Sequence, residues 1–75
     1  MVTVYSKPGC VQCNATSRAL DKKGIEYKTV DMSQDLEALE MVKSLNYQQA
    51  PVIYVDEETH WSGFNPDKIE ELANA

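Results

Sequence analysis

Cys10 and Cys13 are the chain's two cysteines, and a pair separated by two residues can pass between dithiol and disulfide. The thiolate is the reacting species, so the question is whether the local fold favours ionisation of one sulfur. Upstream, Val2-Thr3-Val4-Tyr5-Ser6 is rich in β-branched and aromatic residues and reads as a strand. Pro8 and Gly9 supply a turn, and Asn14 to Lys23 is a run of helix formers. Cys10 is thereby placed at, or just ahead of, the start of a helix. Unpaired N–H groups and the helix dipole favour negative charge there, so its thiol should ionise more readily than a free cysteine. Cys13 falls about one turn further in, on the face of Thr16 and Leu20, and is expected to be the more buried sulfur.

Other uses of the pair fit less well. Closing so short a loop removes little entropy from the unfolded chain, which makes a poor structural staple. A structural zinc site needs about four ligands, and beyond the two cysteines the chain offers the single His60, far along the sequence. Two ordinary core cysteines would both occupy an apolar face, whereas Cys10 lies in a turn. A redox dithiol is what strand, turn and helix together support.

Seventy-five residues make one domain with a small core. A hydrophobic content of 43% is that of a folded globule rather than a disordered chain. The net charge of −5 argues against nucleic acid or an anionic membrane as partner. The start shows no basic segment followed by an apolar one, and no apolar run is long enough to span a bilayer. The expected location is the cytoplasm, where a close cysteine pair cycles rather than staples.

The elements that must hold the pair follow in order. Ala15, Ala19 and Leu20 form the first helix's apolar stripe, and Gly24 ends it. Ile25 to Val30 reads as a second strand, with Ile25, Tyr27 and Thr29 on one face. Strand, helix and strand form a βαβ unit, so these strands should be parallel. Ser33 is the expected N-cap of a helix over 34–45, with Ala38, Met41, Val42 and Leu45 buried and Asn46 closing it. Val52 to Val55 reads as a third strand. Asp56 to Thr59 is a turn, and His60-Trp61-Ser62 returns antiparallel. Asn65-Pro66-Asp67 starts a last helix whose apolar side is Ile69, Leu72 and Ala73. The order β-α-β-α-β-β-α implies an α/β domain, a four-stranded mixed sheet flanked by three helices.

That order, with Cys10-Val11-Gln12-Cys13 after the first strand, Gln49-Ala50-Pro51 before the third, and Trp61-Ser62-Gly63-Phe64 followed by Pro66-Asp67, resembles the thioredoxin superfamily at its smallest. It is most similar to the glutaredoxin-like NrdH-redoxins, over essentially the whole chain. The resemblance implies a dithiol–disulfide oxidoreductase in which Cys10 is the nucleophile and Cys13 resolves. It also implies a cis Ala50–Pro51 bond beside the dithiol. Electrons would come from thioredoxin reductase and go to the large subunit of class Ib ribonucleotide reductase. The redox-active disulfide would be the only redox group, with no metal or other cofactor, in a monomer. One position departs from the pattern. Asn65 stands where arginine is frequent, which removes a positive charge near the active face but makes a better helix cap.

The partner-facing surface is expected from Lys7, Val11 and Gln12, from Ala50 and Pro51, and from Trp61, Ser62, Gly63 and Phe64. Lys7, three residues before Cys10, would further favour its thiolate. Trp61 is expected to cover partner-facing surface rather than core, His60 to be an ordinary strand residue, and the four tyrosines to be half-buried packing residues. Two other function classes compete: a glutathione-dependent glutaredoxin, and a non-redox docking module using Trp61 and Phe64. Thiol alkylation before and after dithiothreitol separates the module from both redox classes. In glutaredoxins, the γ-glutamyl carboxylate of glutathione is held by free N–H groups at the start of the last helix. Here Pro66 has no N–H, Phe64 adds bulk, and Asn65 can occupy remaining donors. Glutathione should therefore be a poor reductant.

Overall fold

Strand β1 (Val2–Ser6) lies inside the sheet, with the parallel β2 (Tyr27–Asp31) on one side and the antiparallel β3 (Val52–Tyr54) on the other; β4 (His60–Ser62) completes the order β2-β1-β3-β4. The computed structural model describes residues 2–74. Tyr5 faces Val52 across β1 and β3, and Ile53 faces Trp61 across β3 and β4. Three helices flank this four-stranded sheet: α1 (Val11–Lys22), α2 (Leu36–Ser44) and α3 (Pro66–Ala73). This is the thioredoxin-like arrangement that the resemblance implied. Among the described residues, no helix is long and apolar enough to cross a membrane.

Alternation along the strands divides the core in two. Val4, Ile53 and Trp61 meet Leu20 of α1 and Ile69 of α3, while Val52 meets Ala38 and Val42 of α2 on the opposite face. Leu20, Ile53 and Ile69 are among the largest fully buried side chains. Each contributes about 1.5–3 kcal/mol of apolar burial, so both helices of the first face are held by the strands between them.

Helix ends follow local chemistry, and where they depart from expectation the reason is visible. At the end of α1, Gly24 takes φ 70° and donates to Asp21 O at 3.0 Å, and Ile25 N donates to Leu20 O at 3.0 Å. That closure uses the N–H of Ile25, so β2 begins at Tyr27 rather than at Ile25. Asn46 closes α2 in the same way, at φ 66°. The N-cap of α2 is Asp35, not Ser33. Asp35 accepts from Ala38 N at 3.1 Å, and Ser33 is instead tied to Asp31 Oδ1 through its N–H at 2.8 Å and its hydroxyl at 2.6 Å. The side chain of Asp31, at the end of β2, thus captures the residue that would otherwise cap. Asn65 caps α3 as expected, accepting from Lys68 N at 3.2 Å, with Pro66 at the first helical position.

The topology brings the C-terminal ends of β1 and β2 beside the N-terminal end of β3. Met32 N donates to Ser6 O at 2.8 Å there. Lys7 to Cys10, Met32, and Ala50 with Pro51 therefore emerge at one end of the sheet.

Candidate active site

Cys10 and Cys13 are joined by a disulfide, their Cα atoms 5.2 Å apart. Cys10 is the N-cap of α1, and Cys13 N points at its sulfur at 3.1 Å. The first helical N–H groups, those of Val11 and Gln12, have no acceptor within the helix, so the dipole's positive end also faces Cys10. Exposure divides the pair as well. Cys10 is half-buried beside the exposed turn of Lys7, Pro8 and Gly9, whereas Cys13 is only 5% exposed. A sulfur that is reachable and faced by N–H groups is the one equipped to attack.

Two loops are tied to each other, and one of them to the start of α1. The Ala50–Pro51 bond is cis, as the resemblance implied, and Pro51 O accepts from Gly63 N at 2.8 Å. Gly63 has φ 84°, a conformation that favours glycine, although an added Cβ would stand at an ordinary 3.5 Å from Gln12 Oε1. Gln12 lies between the cysteines, and its Oε1 accepts from Phe64 N at 3.3 Å. The start of α1 is thus tied to the loop before α3. Thr16, completely buried, donates its hydroxyl to Gln12 O at 2.9 Å and steadies the same turn.

The expected surface is brought together only in part. Val11 is 80% exposed and Phe64 41% exposed, leaving two apolar side chains on the outside of the site. Ala50, Pro51, Gly63 and Gln12 are joined to it through the bonds just described. Ser62 directs its hydroxyl to Gln49 O at 3.2 Å, and Lys7 stands exposed on the side of Ala50. Trp61 departs from expectation. It is 7% exposed and packs with Val4, Ile53 and Ile69, because strand alternation turns it to the α1–α3 face while Ser62 faces the other way. Its indole N–H has no partner among the described residues.

His60 is not an ordinary strand residue. Its Nδ1 shares a 2.6 Å hydrogen bond with the Tyr47 hydroxyl, which also donates to His60 O at 3.2 Å, and its ring stacks on Tyr54. Two residues thirteen positions apart carry no local signal that they meet. Tyr5 is a packing residue whose hydroxyl pKa is raised, first by burial and then by Tyr54 and Asp35.

Comparison with known proteins agrees with this arrangement. The family model for glutaredoxin matches residues 2–61. The glutaredoxin-like protein NrdH of Escherichia coli K12 is 35% identical over 71 residues, which is 95% of this chain and 86% of the relative. That of Lactococcus lactis subsp. cremoris is 36% identical over 73 residues, 97% of this chain and 100% of the relative. The solved structure of the Escherichia coli NrdH-redoxin superposes with a TM-score of 0.88 at 35% identity, covering 95% of this chain and 92% of that one.

Proposed function

Because the chain belongs to the glutaredoxin family, and within it to the NrdH-redoxins, we propose that it carries electron pairs from thioredoxin reductase to class Ib ribonucleotide reductase. The observation that carries the dithiol mechanism is the asymmetry of the pair, a half-exposed Cys10 faced by an N–H group and a buried Cys13. In the reduced protein, the Cys10 thiolate attacks one sulfur of the partner's disulfide. A mixed disulfide forms, and the partner's other sulfur leaves as a thiolate that takes a proton. Cys13 then gives up its proton and attacks Cys10. The mixed disulfide breaks, the partner's second thiolate leaves, and the Cys10–Cys13 bond remains. Two electrons have moved, and the protein is oxidised. Ribonucleotide reductase as acceptor rests on the family resemblance.

The choice of donor rests on the turn before α3. A glutathione carboxylate needs free N–H groups, but Gly63 N is bonded to Pro51 O, Phe64 N to Gln12 Oε1 and Lys68 N to the Asn65 side chain. Pro66 has none to offer. Losing two charge-assisted hydrogen bonds costs about 3–6 kcal/mol, or roughly two to four powers of ten in affinity. This favours a flavoprotein donor over glutathione. The solved Escherichia coli relative, for its part, is described as having a thioredoxin-like activity profile. NADPH oxidation measured side by side with thioredoxin reductase and with glutathione plus glutathione reductase tests the reading. Turnover should be fast with the first and negligible with the second. Comparable rates would make the chain an ordinary glutathione-dependent glutaredoxin.

A further inference from the structure

Helix α1 has two faces of opposite character. Cys13, Thr16 and Leu20 are buried. On the reverse side Val11, Asn14, Arg18 and Lys22 follow one another at the spacing of three and four residues that keeps side chains in line. All four are exposed, and Val11, next to Cys10, is 80% exposed. Arg18 and Lys22 lie about 10 and 16 Å further along the helix axis. The ridge runs without a break from an apolar side chain beside the half-buried sulfur to two cations.

What distinguishes these cations is where they stand, not the want of a partner. Among the described residues the ion pairs are Lys23 with Glu70 and Lys68 with Glu71, so Lys7, Lys28 and Lys43 are unpaired too. Lys28, however, stands two residues after Glu26, Lys43 lies one turn of α2 beyond Glu40, and Lys7 is a single charge in a turn. Of the three helices, only α1 has more basic than acidic residues. It carries Arg18 and Lys22 against Asp21, whereas α2 carries Glu37 and Glu40 against Lys43, and α3 carries Asp67, Glu70 and Glu71 against Lys68. Asp21 is off the ridge, about 60° round the helix from Arg18 and about 100° from Lys22, on the side of Glu26 and Tyr27.

We propose that the outer face of α1 docks a protein redox partner that carries an acidic patch about 10–16 Å from the disulfide it presents to Cys10. Apolar surface of the partner meets Val11, and its carboxylates meet Arg18 and Lys22. The inference rests on the redoxin reading above and specifies the surface such a partner needs. With 12 acidic residues against 7 basic ones, most of the molecule turns an acidic surface away. Along α1 it is drawn in, and the order of Val11, Arg18 and Lys22 sets which way round it lies.

Two synthetic peptides test this. Each has a disulfide-closed loop followed by an alanine-rich helical arm of about three turns, with glutamates at the outer end of one arm and lysines at that of the other. With oxidised protein and oxidised peptide no electron transfer occurs, so amide NMR reads docking alone. The acidic peptide should shift Val11, Ala15, Arg18 and Lys22. With reduced protein, kcat/KM relative to that for hydroxyethyl disulfide should favour the acidic peptide by about two- to tenfold at low salt, and the preference should fade at about 0.5 M salt. Arg18→Gln with Lys22→Gln should remove the preference, and Arg18→Glu with Lys22→Glu should invert it, both leaving the hydroxyethyl disulfide rate unchanged. Lys28→Gln alters the net charge as much as Arg18→Gln does but lies off the ridge, so the preference should survive it. An equal loss with Lys28→Gln would make the effect one of net charge and overturn the proposal. Equal rates for the two peptides, or shifts confined to Val11 and Phe64, would overturn it as well. If the protein reduced no disulfide at all, the redox reading would fail, while the NMR experiment would still decide the α1 face.

Discussion

At the scale of single residues, the dithiol is two sulfurs with different surroundings, and the roles follow from that difference. Cys10→Ser should abolish disulfide reduction. Cys13→Ser should still attack but accumulate a mixed disulfide with the protein partner, visible on a non-reducing gel. Trapping by Cys10→Ser in place of Cys13→Ser would reverse the roles. The N–H of Cys13 at 3.1 Å from Cys10 Sγ also bears on ionisation. In the reduced protein, the alkylation rate of Cys10 against pH should show a midpoint below the value of about 8.5 for a free cysteine. A midpoint at or above it would remove the helix-terminus argument.

At the scale of elements, α3 is held at its start by one side chain. Asn65 Oδ1 accepts from Lys68 N at 3.2 Å, and Pro66 presets the first turn. Asn65→Ala should cost about 1 kcal/mol, a fall of roughly 4–8 °C in Tm for a domain of this size. Asn65→Asp keeps an acceptor and adds a charge that the dipole favours, so its melting curve should stay close to that of the natural chain. Far-UV circular dichroism during heating measures both. A normal melt for Asn65→Ala would mean that Pro66 and the packing of Ile69 hold the helix without the cap.

At the scale of the whole molecule, two aromatic residues three positions apart belong to different parts of the structure. Trp61 closes the core between β3, α1 and α3, whereas Phe64 stands 41% exposed beside Gln12. Trp61→Ala should cost about 3–5 kcal/mol, a large share of the 5–15 kcal/mol or so that holds a typical domain together. It should lower the denaturant midpoint markedly. Phe64→Ala should leave stability within about 0.5 kcal/mol and raise KM for thioredoxin reductase. A Trp61→Ala protein of normal stability with impaired turnover would return Trp61 to the partner surface.

Much of this protein is determined within a few residues of each signal. The cysteine spacing at a strand–turn–helix junction, the stops at Gly24 and Asn46, and the start at Asn65-Pro66 all act through hydrogen bonds that close within about one helical turn. The order of elements then leaves few ways to build the sheet. Two further local outcomes turn on which of several nearby partners wins: Asp31 took Ser33 from α2, and the N–H of Ile25 was spent on closing α1. Tertiary structure decided what depends on groups far apart in the chain. The period of two along a three-residue strand sent Trp61 inward, while its chain neighbours His60 and Ser62 pinned the segment of Tyr47 and Gln49. Spacing along the chain says nothing of these meetings, because each partner has other local options until the sheet brings the two together. The donors of Gly63 and Phe64 before α3 are taken only once that has happened.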